Sequence, residues 1–223
     1  FGQSGNRPEE LECYAEALCA SGSVAGSVVE GKKAFSQSYE FFIESSKLYS
    51  KRDDRESFAR TLSRAAWTSA FLTTYCSDRW EVEQVSRKCR DIADKAWKLS
   101  REIGNVQYLA ESLVAEWALS SAELGTVPFR WDERWKEYSR KSVLRCDESL
   151  KLAEGCDNPI VLGVTYGVAG IWHCTFGFHF VEDEGEQREY LDKGLGLMEK
   201  ALVFVRKTKD KSSIIFCLFW LDW

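Results

Sequence analysis

Three prolines (Pro8, Pro128, Pro159) and two histidines (His173, His179) are all that 223 residues contain of either type. Proline removes a backbone donor and clashes with the preceding turn, so a chain nearly free of it can run in long uninterrupted helices. With two histidines and no nucleophile–base pattern, acid–base chemistry would fall to carboxylates. No Asn-x-Ser/Thr acceptor occurs. No run approaches the ~18 apolar residues of a membrane span. The net charge is −5, without the basic surplus that marks a general nucleic-acid binder. The opening residues, Phe1-Gly2-Gln3-Ser4-Gly5, carry neither Met nor a signal-peptide pattern, so the chain reads as a piece of something longer.

Hydrophobic residues at 44% and aromatics at 13% supply ample material for a core. Eight cysteines in a chain of this size are not a dense disulfide framework. Most sit among apolar or helical neighbours, as in Phe216-Cys217-Leu218, where a free thiol behaves as a small hydrophobe. A reduced, cytoplasmic protein is therefore expected.

The chain repeats. Ser45-Ser46-Lys47-Leu48, Ala96-Trp97-Lys98-Leu99, Ser149-Leu150-Lys151-Leu152 and Ala201-Leu202-Val203-Phe204 align as one landmark. Thirteen residues after each first position stands a second: Phe58, Leu109, Leu162 and Ile214. Both landmarks step by 51, 53 and 52 residues. Between them Asp54, Asn105, Asn158 and Asp210 share a column, and Asp and Asn are preferred helix N-caps. Pro159 follows Asn158 at the first helical position, and Gly104 suits the end of the preceding helix. Ala59, Ala110 and Gly163 give a small residue after the second landmark, with Ile215 the exception.

These columns predict an all-α fold, an α-α superhelix (solenoid) of antiparallel helical hairpins with about 3.5 repeats of 51–53 residues. Helices are expected near 33–50, 54–75, 80–102, 105–123, 132–154, 158–178, 186–207 and 210–222. An apolar region near 9–20 suggests another helix whose register does not align. Residues 1–32 are read as an N-terminal helix with a Gly/Ser-rich linker, and 33–223 as the repeat domain, expected to be truncated at its C-terminus. Insertions fall only in the connections opposite the capped turns, the edge of a solenoid where function commonly sits.

Small residues before Leu, a turn with Asp or Asn, then Ala and Leu at helical spacing resemble tetratricopeptide repeats over roughly residues 33–222. The period is longer than that family's ~34 residues, and the Trp-x2-Leu-Gly-x2-Tyr string is absent, so the likeness is to long-helix relatives in sensor or scaffold segments of signalling and regulatory proteins. The resemblance implies a protein or peptide partner on a concave surface built from the helices after the Asp/Asn caps. Arg60, Arg64, Glu111 and Thr165 would then line it. Neither nucleic acid nor membrane is an expected direct partner.

Signals that could carry chemistry read more simply as structure. Gly26-Ser27-Val28-Val29-Glu30-Gly31-Lys32-Lys33 imitates a phosphate loop, but Lys33 stands where Ser or Thr must hold magnesium, and no strand precedes it. His173, Cys174 and His179 lack the short paired spacings of a zinc site. The strings Glu182–Glu186 and Arg206–Lys211 read as solvated runs. Trp67, Trp117, Trp172 and Trp220 stand 9, 8, 10 and 6 residues after the second landmark, so they point in different directions and make no ladder. Aromatics do recur at the variable connections: Tyr75 and Trp80, then Phe129, Trp131 and Trp135, then Phe176, Phe178 and Phe180. They read as sealing the helical layers or as a docking edge, with Phe129 and Trp131 the candidate contacts. Gly163, Gly167 and Gly170 crowd one helix, which indicates either a close helix crossing or a pocket for a small regulatory ligand. No catalytic residue, metal site or cofactor is expected, and an interaction scaffold is the leading functional expectation.

The apolar stretch Ser213–Trp223 has no following helix in this sequence to cover it. Sedimentation at rising concentration should therefore show self-association through this segment unless a neighbour covers it.

Overall fold

The computed structural model describes residues 7–126 and 133–208. The chain forms two compact units, Phe1–Pro128 and Phe129–Trp223. The first holds α1 (Pro8–Ser23), α2 (Val28–Lys51), α3 (Arg55–Thr73), α4 (Arg79–Ile103) and α5 (Val106–Thr126). The second holds α6 (Glu133–Ala153), α7 (Pro159–Phe180) and α8 (Glu184–Thr208). Among the described residues there is no strand, and within each unit successive helices pair as antiparallel hairpins. The expected helix at 210–222, with Trp220, lies outside the described residues.

The capped turns form as the repeat implies. Asp54 accepts from the Ser57 amide at 3.0 Å, Asn105 from Tyr108 at 3.2 Å and Asn158 from Ile160 at 3.0 Å. Each side-chain oxygen satisfies a donor that the first helical turn leaves without a partner. Gly104 adopts φ +72°, the left-handed conformation that ends α4 without a Cβ clash. One boundary differs from expectation. Helix α2 starts at Val28 rather than 33, because Ser27 caps it by accepting from the Glu30 amide at 3.3 Å. The phosphate-loop lookalike is thus the first turns of a helix. Gly31 sits inside it because a Cβ there would lie 2.5 Å from the Tyr75 ring.

The first landmark is the most deeply buried column. Ser45, Ala96, Ser149 and Ala201 are each 0% exposed. They belong to a stripe buried in every copy. It comprises Ser38, Phe42, Ser45 and Tyr49 in α2, then Cys89, Ala93, Ala96 and Ser100 in α4. Ser142, Cys146, Ser149 and Ala153 continue it in α6, and Gly194, Met198, Ala201 and Val205 in α8. Spacings of four, three and four residues keep such a stripe on one helix face. Clusters that each join three helices follow from it in the first unit: Ala15–Phe42–Ala65, Ala66–Ala93–Ala115 and Ala70–Cys89–Leu119. Helix α2 is thereby seated on α1 and α3, and α4 on α3 and α5. The hydroxyls of Ser38 and Ser45 donate to the Ala15 and Pro8 carbonyls of α1 at 2.6 and 2.8 Å, so these polar atoms are buried without penalty.

In the second unit glycine sets how closely α7 and α8 approach. A Cβ at Gly170 would lie 2.6 Å from Met198 Cγ and 2.7 Å from the Gly194 carbonyl. At Gly163 it would meet Val205, and at Gly177 the Cβ of Tyr190. The crossing reading of this glycine-rich helix is the one the structure takes. Val205 and Met198 of α8 occupy the space directly opposite Gly163 and Gly170. Helix α7 is also long and apolar enough to cross a membrane, which its interspersed Thr and His had concealed, yet 72% of its apolar window is buried within the fold.

Gly170→Ala and Gly196→Ala should move stability in opposite directions. Gly196 has nothing within 4 Å of a would-be Cβ. Alanine there should stabilise by about 0.5–1 kcal/mol through helix propensity. Alanine at Gly170 should destabilise by about 1 kcal/mol or more through overpacking against backbone. Urea titration of both variants checks the pair.

Candidate functional site

The residues expected to line a partner surface are engaged by the fold itself. Arg60 of α3 grips Glu12 of α1 with a fork, Nε to Oε1 at 2.7 Å and Nη2 to Oε2 at 2.9 Å. Tyr49 of α2 donates to the same carboxylate at 3.1 Å, and Glu12 is only 8% exposed. Hydrogen bonding to Glu12 raises the Arg60 pKa further, and burial next to this carboxylate pushes the Tyr49 phenol to about 12. Arg60 is a clamp joining the first three helices. Arg64 lies 3.6 Å from Glu111 of α5, to which Gln107 donates at 3.1 Å. Burial raises the Glu111 carboxyl above its usual value, nearby Glu16 adds to this, and Arg64 and Gln107 oppose it. Arg64 and Glu111 thus meet between α3 and α5.

Thr165 is corrected. It is 1% exposed and donates to the Val161 carbonyl at 2.8 Å, so it cannot line a surface. Its repeat counterparts behave alike: Thr61 donates to Ser57 and Ser112 to Tyr108, each at 2.8 Å. This column is structural in all three copies. Phe129 and Trp131 lie outside the described residues. The rest of the aromatic edge divides, with Trp80 and Phe178 exposed and Trp135, Phe176 and Phe180 buried.

An open groove lies elsewhere in the first unit. Helices α2 and α4 form its walls, and Ser69, Leu72 and Tyr75 of α3 form its floor. Its volume is about 690 Å³. Tyr39 and Cys89 add to the lining, and burial pushes both up to about 12, so neither ionises near neutral pH. At one end Lys32 of α2 and Glu81 of α4 pair across the groove. Their hydrogen bond raises the lysine and, with the Ser77 amide, lowers the glutamate. The remaining rim charges are Lys33, Lys88 and Glu40, and Val28 and Val29 stand exposed at its mouth. The resemblance had pointed to the layer of capped helices. The groove instead opens on the opposite layer, with capped α3 at its base. Sequence reasoning passed over Lys88, Ser69 and Val85, although aligning the four copies column by column would have set Lys88 with Lys141 and Lys193.

The histidine and cysteine candidates are separated by the second unit. His173 is 1% exposed and donates from Nε2 to Asp147 of α6 at 2.9 Å. Lys193 of α8 donates to both oxygens of Asp147, at 2.8 and 3.1 Å. Burial works to raise the Asp147 carboxyl, but the bonds from His173 and Lys193 overcome it and bring it to about 2. Burial pushes the Cys174 thiol up to about 11 and the His179 imidazole below its usual value. Among the described residues no group of three or more His, Cys, Asp or Glu side chains could hold a metal ion, and the described cysteines are free thiols.

No protein-family model matches the sequence, and no curated protein matches it. Among solved structures the chain is similar to the DHF58 filament, with 14% identity, a TM-score of 0.49, and 90% of this chain and 96% of that chain covered. It is also similar to the de novo designed helical repeat protein DHR64, with 14% identity, a TM-score of 0.46, and 91% and 95% covered.

Glu111→Gln should change how stability depends on pH. A carboxyl whose folded pKa exceeds its unfolded value favours folding fully below about 4.5, and loses that contribution as pH rises through the folded value. Urea unfolding at pH 4 and pH 7 should therefore show the glutamine variant gaining on the parent at the higher pH.

Proposed function

We propose that this chain is a non-enzymatic protein-interaction module, a scaffold or sensor segment of a larger cytoplasmic signalling or regulatory protein. The long hairpins and the 51–53-residue spacing support kinship with long-helix relatives of tetratricopeptide repeats. The groove between α2 and α4 carries the reading. It is open to solvent, floored by Leu72, walled in part by the neutral Tyr39 and Cys89, and rimmed by charges. That combination of an apolar base with a polar rim suits a partner segment laid between two helices.

A photo-crosslinking amino acid at Ser36, on the groove wall, should capture a discrete protein partner in cells. The same group at Cys13, exposed on α1, should not. Equal capture at both positions, or none at either, would count against the reading.

A further inference from the structure

The sets α2–α3–α4 and α6–α7–α8 are copies in one repeat register, so each residue of one has a counterpart in the other. Ser45 corresponds to Ser149, Phe58 to Leu162 and Ala96 to Ala201, offsets of 104, 104 and 105 residues. The space between the outer helices of the second set is filled by the chain itself. Asp147 of α6 meets Lys193 of α8 at 2.8 Å, and His173 of α7 donates to the same carboxylate at 2.9 Å. Tyr190 of α8 lies against the rings of His173 and Phe176, with centroids 5.8 and 5.0 Å apart.

In the first set the lysine is kept, but the carboxylate and the rings beside it are replaced. Lys193 corresponds to Lys88, but Asp147 corresponds to Ile43, His173 to Ser69, Tyr190 to Val85 and Phe176 to Leu72. One carboxylate and three rings are missing. At that register the first set has the open groove, lined by Ser69, Leu72, Val85 and Lys88. No carboxylate among the described residues pairs with Lys88.

We infer that this groove takes from a partner what its counterpart supplies internally: an aromatic side chain over Ser69, Leu72 and Val85, and a carboxylate at Lys88, both from one acidic, aromatic-containing peptide segment. The inference rests on the interaction-module reading and specifies its partner. Two observations favour a peptide over a free aromatic acid. The α2 wall from Val28 to Tyr39 runs roughly 17 Å at 1.5 Å per residue, longer than one ring with its carboxylate. Once Lys32 and Glu81 have paired, Lys33 and Lys88 outnumber Glu40, so the free rim is cationic along that length.

A phage-displayed library of random twelve-residue peptides, selected on the full chain and counter-selected on Val85→Tyr, tests this. Enriched peptides should pair an aromatic residue with Asp or Glu. By fluorescence anisotropy each should bind about tenfold or more weakly to Lys88→Glu and to Val85→Tyr, with melting temperatures unchanged. Should Val85→Tyr melt early, Ser36→Trp blocks the groove from the opposite wall and repeats the comparison. Peptides that lose binding on blocking but carry no acidic–aromatic pairing would overturn the partner chemistry and leave the interaction module standing. Failure to enrich any peptide sensitive to the block would overturn both. Binding of p-hydroxyphenylacetate without peptide binding would likewise overturn both, in favour of a small-molecule site.

Discussion

Close approach of helix backbones governs the fold, and small side chains at one register permit it. Ser45, Ala96, Ser149 and Ala201 have no exposed surface, and a larger residue in that column would push neighbouring helices apart. The second unit extends the principle to glycine, with Gly170 and Gly194 facing each other across α7 and α8. A helix-interior glycine costs about 1 kcal/mol relative to alanine, so the added contact must offset that. Dispersion at short range grows quickly with packing density, which makes the exchange favourable.

Polar groups inside such a tight core need partners, and their placement separates structure from candidate function. Thr61, Ser112 and Thr165 turn their hydroxyls to the carbonyl four residues back and vanish into the core. Arg60 and Glu12 form a two-bond clamp with Tyr49 beside it, a geometry that repays the burial of charge. Lys32 and Glu81 are partly exposed to solvent, where an ion pair is worth little for stability, yet they join two helices across an otherwise open channel. Charges that the fold consumes are poor candidates for recognition. Charges that it leaves free, such as Lys33 and Lys88, are better ones.

Much of the fold was legible because helix caps and buried small residues leave local marks. Asp54, Asn105 and Asn158 announced their turns, and the helix bounds followed to within a few residues. The start of α2 was misplaced because Gly26 and Gly31 suggest a linker, while Ser27 alone carries the cap. The candidate site was far less legible. Arg60 and Arg64 look alike in sequence, and only the position of Glu12, 48 residues away, makes Arg60 a clamp. Thr165 looked like a surface residue because a single column says little about which way a helix faces. The groove is written in what is missing from α2–α3–α4 relative to α6–α7–α8, a difference that becomes visible only when the copies are read against one another.

The His173–Asp147–Lys193 cluster also bears on how such a chain can change over evolutionary time. Binding sites ordinarily compete with stability for the same positions, since a cavity forgoes packing. In a duplicated array the two demands can be met at equivalent positions of different copies. One copy fills the space with its own rings and charges, and another leaves it open. Divergence at Ser69, Val85 and Ile43 then alters one copy's surface while the packing stripe common to all four stays as it was.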